Sequence, residues 1–307
     1  MLVTAGAAER AQVRALKITV LSTMLADGEE LGEWGFAALV EADGRRILFD
    51  TGSKADVVQK NVHTLKLDLG DVTDVVLSHW HDDHVGGLMT LRREVAAKNP
   101  AALARAHVAE GFFDSRRGLP PGVELNQMIR VRPDYEATGG KFVVHAGPVE
   151  LQPGVWLTGP VPRPHPERNW SGSVQVRAAA GVRDDTIADD MTLVVDTEQG
   201  LVIVTGCAHA GVINIIDHAR TFVRPARVHA LIGGVHLFRA SEETLVWTAG
   251  KLREFGVENF IGAHCTGIET VFRFRTDLAL DRAHCVVGAV GQVFELGRGI
   301  DARVIAK

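Results

Sequence analysis

An α/β fold follows from the order of the apolar segments: two mixed sheets packed together under outer helices, a four-layer αββα sandwich. Short β-prone runs open the chain and helical patterns follow, and the same succession of strands and helices returns after residue 191. The 307 residues are 46% hydrophobic and 23% charged, a composition that supports a large core and excludes a disordered or fibrous chain. At ~150 residues per structural unit, this length allows two units or one large layered domain. The reading is a single domain over residues 17–307 with an N-terminal extension at 1–16.

Residues 16–24, 35–41 and 46–49 alternate or are wholly apolar, with a turn-like Ala42-Asp43-Gly44 between the second and third, so the opening is antiparallel. Ser53 caps a short amphipathic helix through Val62, and residues 75–78 read as a buried strand. The segment 84–98 is helical, since Leu88, Leu91 and Val95 share a face, and Asn99-Pro100 stops it. Residues 114–140 and 159–172, rich in Gly, Pro and charge, read as irregular loop insertions around a strand at 155–158, the second being either a substrate-facing loop carrying Arg163, Arg168 and Trp170 or a rigid linker. Strands at 192–196, 201–205, 228–232 and 260–263 then alternate with helices at 212–221 and 241–255.

Lys and Arg total 33 against 38 for Asp and Glu, a net charge of −5 that opposes a general nucleic-acid or anionic-membrane binder. The sequence as it stands has neither a secretory leader nor an apolar run of the ~18 residues a membrane span needs. Three cysteines, Cys207, Cys265 and Cys285, are a sparse odd set that fits a reducing compartment, so the expected location is cytoplasmic. Association into homo-oligomers is left open.

The strongest chemical feature is His79-Trp80-His81-Asp82-Asp83-His84, between the buried strand at 75–78 and Gly86-Gly87. In extended backbone His79 and His81 point to the same side, so two imidazoles can grip one ion. A turn into helix then swings Asp83 and His84 toward a second. Mixed imidazole and carboxylate donors suit zinc, and also manganese or iron.

Two coordination spheres need donors from elsewhere. The strand at 201–205 ends in Gly206-Cys207-Ala208-His209, that at 228–232 in Gly233-Gly234-Val235-His236, and that at 260–263 in His264-Cys265. Each puts a His just past a buried strand, where a fixed scaffold displays reactive groups, so metal or substrate roles are expected for the trio.

With its trailing glycines, the HxHxDH string is similar to the signature of the metallo-β-lactamase superfamily, and Leu48-Phe49-Asp50-Thr51-Gly52 resembles that family's first motif. TGCAHAG at 205–211, GGVHL at 233–237 and AHCTG around His264 resemble the dihydropterin-ribofuranosylaminobenzene phosphate synthase branch. The resemblance runs from about residue 17 to the C-terminus. It implies two divalent ions, one held by His79, His81 and His209 and the other by Asp83, His84 and His264, with Asp50 orienting a ligand imidazole. Many superfamily hydrolases have a bridging Asp where this chain has Cys207. The thiol either ligates or packs beside the ligands, and the second is favoured. Asp189 and Asp190 are reserve carboxylates or ordinary strand-start residues.

Two adjacent divalent ions bring a bound water toward ionisation at neutral pH and polarise a carbonyl or phosphoryl oxygen. The expected function is therefore a metal-dependent hydrolase acting on a phosphate- or carboxylate-bearing small molecule, or a transferase if the branch's chemistry carries over. Asp83 and His236 are the catalytic candidates, His236 also as a contact to substrate or a developing oxyanion. Gly159 to Arg163 resembles the branch's GxIPR-type segment, which makes Arg163 either an anion anchor or a solvated loop residue; Arg116, Arg117, Arg273 and Arg275 are weaker candidates. The alternatives are a lactonase, β-lactamase or phosphodiesterase on the same scaffold, and a non-catalytic metal or redox sensor using the three cysteines.

Overall fold

The computed structural model describes residues 11–118, 122–170, 172–178 and 181–306. The antiparallel opening is β1 (Leu16–Ser22), β2 (Ala37–Ala42) and β3 (Arg45–Phe49). Asp43 and Gly44 close the second hairpin at φ 47° and 79°, the paired positive values that match the right-handed twist of the flanking strands. α1 (Val57–Thr64), β4 (Asp74–Val76), α2 (Asp82–Val85), α3 (Leu88–Ala96) and β5 (Arg105–Ala109) come next, then β6 (Ser115–Gly118), α4 (Met128–Ala137) and β7 (Lys141–His145). β8 (Val149–Gln152), β9 (Val155–Leu157), β10 (Val174–Ala178), β11 (Gly181–Asp184), β12 (Leu193–Thr197) and β13 (Gly200–Thr205) fill the middle. The chain finishes with α5 (Val212–Phe222), β14 (Val228–Gly233), α6 (Glu242–Glu254), β15 (Asn259–Gly262), α7 (Ile268–Asp277), β16 (Cys285–Val287), β17 (Val293–Glu295) and β18 (Gly299–Asp301).

One sheet has the order β18-β17-β1-β2-β3-β4-β5-β7 and the other β16-β15-β14-β13-β12-β9-β8, while β11-β10-β6 form a small antiparallel sheet of their own. Each large sheet is antiparallel on one side and parallel on the other. The parallel strands are joined by helices, because a parallel partner requires a crossover. Period-two side-chain alternation makes the layers visible. On β13, Val202 and Val204 face the first sheet's Val40 and Phe49, whereas Leu201 and Ile203 pack under Ile213 and Ile216 of α5. On β2, Ala38 and Val40 face inward between the sheets, and Ala37 and Leu39 pack with Val58 of α1 and Leu88 of α3. Three apolar cores, helix against sheet, sheet against sheet and sheet against helix, constitute the αββα sandwich.

Several local expectations change. α1 starts at Val57 and not after Ser53; the Ser53 amide instead donates to Glu33. The helix expected over 84–98 is two helices parted at Gly86-Gly87. A Cβ at Gly86 would stand 1.8 Å from the Ser53 carbonyl oxygen, and at Gly87 2.4 Å from that of Thr51, so only glycine lets this turn lie on the 50–53 segment. The span 114–140, expected to be irregular, carries β6 and α4 among its described residues, and 119–121 lie outside them. Between 159 and 172 the described residues form neither helix nor strand, and residue 171 is not among them. Of the N-terminal extension, residues 1–10 lie outside the described residues; Val13 pairs with Thr197 and Leu16 already belongs to β1. Among the described residues no helix is long and apolar enough to cross a membrane.

Candidate metal centre

β13, β14 and β15 are parallel neighbours, so His209, His236 and His264, each just past one of them, emerge at the same edge of the second sheet. Asp50 and the 79–84 turn follow β3 and β4, which are parallel neighbours in the first. The two edges meet. The His79 ring lies 4.5 Å from that of His81, 4.2 Å from His84 and 4.7 Å from His209. His81 and His209 are 4.9 Å apart, His84 and His264 5.0 Å, and His209 and His236 4.5 Å. His236 and His264 take left-handed backbone, φ 51° and 48°, as residues held at functional sites often do.

The two donor groups expected from the sequence are each brought together. His79 Nε2 and His81 Nδ1 stand 2.9 Å apart, with the His209 ring against both. Asp83 Oδ2 lies 3.2 Å from His264 Nε2, and its Oδ1 lies 3.8 Å from His84 Nε2. His209 Nε2 and both ring nitrogens of His264 are buried without a hydrogen-bond partner, the Asp83 contact to His264 Nε2 being an ion-pair approach at 3.2 Å. Leaving such nitrogens unpaired costs about 1–3 kcal/mol each, a cost that ligation removes.

The electrostatics also fit a cation. Burial pushes the imidazoles of His79 and His209 well below the usual range and that of His81 down to about 3, which keeps them neutral, the form that donates a lone pair. Burial lowers His84 too, but the carboxylates of Asp50 and Asp83 outweigh it and raise that imidazole to about 9. The positive charge they hold there is of the kind a bound cation supplies. Asp83 is held well below the ordinary carboxylate range: burial raises it, but the neighbouring His84 and His264 prevail. Imidazoles with unpaired nitrogens around an acidic carboxylate fit a divalent metal.

Buried supports hold these groups in place. Asp50 Oδ2 accepts from His84 Nδ1 at 2.7 Å and from Ser78 Oγ at 2.8 Å, while Oδ1 accepts from the Ser78 amide at 2.7 Å. An acceptor-only carboxylate keeps a proton on His84 Nδ1, so that Nε2 is the nitrogen facing inward, 3.1 Å from Cys207 Sγ. The Asn169 carbonyl does the same for His209 Nδ1 at 2.5 Å. Asp189 accepts from the Trp80 amide and Asp190 from the Ala210 amide, so these carboxylates tie down the two His-bearing loops. Burial raises them to about 6 and about 7. Arg116, itself buried, bonds Asp189 at 2.6 Å and Asp185 at 3.0 Å.

A cavity of about 650 Å³ adjoins the centre, lined by His236, Phe238, Arg239, Arg168, Trp170 and Trp247 among others. Trp34, 46% exposed, stands beside it with its ring 4.9 Å from His264 and 5.4 Å from Phe238. Sequence reasoning did not single out Trp34, Phe238 or Arg239. Arg163 is not among the lining residues; its Nη2 donates to the carbonyls of Thr186 and Ile187, and its guanidinium lies over Trp170. Arg117 lies on β6, opposite Gln175. Arg273 pairs with Glu242 and Asp277, Arg275 donates to the Cys285 carbonyl, and Cys285 is buried in the helix-covered core.

A buried histidine and carboxylate centre at the strand ends of a four-layer sandwich defines a class, and the sequence model of the metallo-β-lactamase superfamily matches residues 35–173. The chain resembles that superfamily over this stretch. Over most of its length the chain is similar to 7,8-dihydropterin-6-methyl-4-(β-D-ribofuranosyl)-aminobenzene-5′-phosphate synthase of Methanocaldococcus jannaschii, 29% identical over 80% of this chain and 84% of that protein. It is also similar to Tm1679, described as a metal-dependent hydrolase of the β-lactamase superfamily, at 29% identity and TM-score 0.72 over 92% of this chain and 99% of that one. The fold alone is shared with YhfI from Bacillus subtilis, 13% identical with TM-score 0.57 over 92% and 100% of the two chains.

Proposed function

We propose that this protein is a dinuclear metal-dependent enzyme that hydrolyses a phosphate- or carboxylate-bearing small molecule. His79, His81 and His209 hold one ion, and Asp83, His84 and His264 the other. Bound there, divalent ions, zinc first with manganese or iron as alternatives, supply acidified water and polarise a substrate oxygen. The observation that carries this reading is the convergence of these five histidines and Asp83, with unpaired ring nitrogens on His209 and His264, beside a cavity of about 650 Å³.

The chain's own residues do the rest. Asp50 and the Asn169 carbonyl fix the tautomers of His84 and His209. His236 is intermediate in exposure and lines the cavity, where its imidazole contacts a substrate oxygen. Its Nδ1 is buried without a partner. Arg168 and Arg239 supply positive charge beside Phe238 and Trp170 for an anionic substrate. Asp83, besides ligating, orients the attacking water. The likeness to a synthase over 80% of the chain favours a second reading, transfer to an acceptor other than water at the same centre. The sparse cysteines support a cytoplasmic location.

Metal-loaded protein assayed against phosphoester, lactone and β-lactam panels tests the proposal. Turnover that disappears with chelator and in His79→Ala supports it, and inactivity on every class favours a metal-binding protein without catalysis. His236→Ala is expected to lower turnover with metal content intact, and loss of metal would make His236 a ligand.

A further inference from the structure

We infer that Glu167 is a positioning residue: its carboxylate latches the 165–170 segment onto the start of α5, and so sets the place of Arg168 on the cavity wall and the affinity for an anionic ligand. The inference rests on the anionic substrate proposed above and extends it to a residue outside the metal centre. α5 begins after Gly211, at φ 98°, which has no side chain to cap it, and the first turn carries no acidic residue. The leading amides of the helix therefore need partners from elsewhere. Glu167, 46 positions before Ile213, supplies them: Oε1 accepts from the Ile213 amide at 3.2 Å and Oε2 from the Asn214 amide at 2.8 Å. The helix dipole favours a negative charge at this end. The approach is close, since a Cβ at Gly211 would stand 2.2 Å from Glu167 Oε2. Both oxygens are engaged by backbone amides, so Glu167 acts by holding the chain and not by touching a substrate.

The described residues between 159 and 170 form neither helix nor strand, so the shape of the segment depends on ties of this kind. Two more flank the latch. His165 donates its amide to Asn214 Oδ1 at 2.8 Å and accepts from Asn214 Nδ2 on its carbonyl at 3.2 Å, and Asn169 Nδ2 donates to the Ala208 carbonyl at 3.1 Å. Arg168 is thereby held between two anchored neighbours. It is exposed and lines the cavity, with its guanidinium 5.6 Å from the centre of the Trp170 ring. An arginine whose backbone is fixed on both sides presents its planar fork to an anion at a smaller entropic cost than one on a loose loop. The coupling is reciprocal: if the latched segment binds an anion more tightly, a bound anion tightens the latch by the same factor.

Inorganic phosphate, with acetate in a parallel series, titrated calorimetrically into zinc-loaded full-length protein reads this out without any enzyme assay. Glu167→Gln sets an amide nitrogen against one of the two helix amides and is expected to weaken anion binding about tenfold, the scale of a typical coupling between sites. Arg168→Ala is expected to weaken it too, and the double variant no further than Arg168→Ala alone, because the latch acts through Arg168; a merely structural loss would add to it. Hydrogen exchange of the wild type, which needs no variant, should show the Ile213 and Asn214 amides exchanging about tenfold more slowly with the anion at saturation, by the same reciprocity. Anion binding by Glu167→Gln within twofold of wild type, additive losses in the double variant, or amide exchange indifferent to the anion would overturn the latch and leave the anionic-substrate reading standing. A wild type that binds zinc but neither phosphate nor acetate would overturn both.

Discussion

Asp50→Asn separates the role of a supporting carboxylate from that of a ligand. The substitution keeps the shape, and asparagine tolerates the left-handed backbone found at residue 50, φ 55°. The fixed Ser78 amide, 2.7 Å from Oδ1, requires an oxygen at that position. The new amide nitrogen therefore falls at the Oδ2 position, 2.7 Å from His84 Nδ1. Two donors cannot face each other, so His84 moves its proton to Nε2, the nitrogen that faces the centre. Loss of such a support costs 10–100-fold in metal affinity, about 1.4–2.8 kcal/mol at roughly 1.4 kcal/mol per tenfold. Competition with a chromophoric chelator measures it, with urea midpoints as the control for folding. A zinc affinity within twofold of wild type, in a folded variant, would refute the tautomer argument.

Other perturbations probe the surroundings. Gly206→Ala forces a methyl group onto Ser78 Oγ and Asp50 Oδ2 and is expected to cost ~1–3 kcal/mol of stability, read from the urea midpoint; an unchanged midpoint would contradict the close approach. Arg116→Leu strands the buried Asp185 and Asp189 and is expected to cost about 3–5 kcal/mol. Because Asp189 also holds the Trp80 amide, metal affinity should fall with it, and a variant with both quantities unchanged would exclude this support. Burial would raise the Asp74 carboxyl, but hydrogen bonds from His107 and Arg105 prevail and hold it well below its ordinary range. The stability it contributes is therefore complete above the unfolded value of about 3.9 and is lost as pH falls through the depressed folded value. The gap between wild-type and Asp74→Asn urea midpoints should be widest near neutrality and should narrow in acid; a gap independent of pH would contradict the assignment.

The parts of the centre that are legible in the sequence are those where chemistry and scaffold signal lie side by side. Six residues from His79 to His84 follow a buried apolar run, and His209, His236 and His264 each follow another, so the strand ends can be read before their neighbours are known. Long-range pairings leave no such trace. Arg116 meets Asp189 across 73 positions and Cys207 meets Cys265 across 58, and no local pattern marks either pair. Arg163 belongs to a segment that resembles a known motif, yet its Nη2 is engaged by backbone carbonyls, while Arg168 and Arg239 line the cavity. α4 escapes a pattern reading because Pro133 sits inside it and only Met128 and Tyr135 of its residues are buried, which leaves little helical periodicity to detect. Ser53 resembles a helix cap in sequence, but the Glu33 carboxylate takes the amides of Ser53 and Lys54, and the helix begins later.

The most direct measurement is an anomalous difference map at the zinc edge from crystals of the metal-loaded protein. The account predicts two peaks per chain, one among His79, His81 and His209 and the other among Asp83, His84 and His264. A map with no density there, or with ions only at other surfaces of the protein, would contradict it.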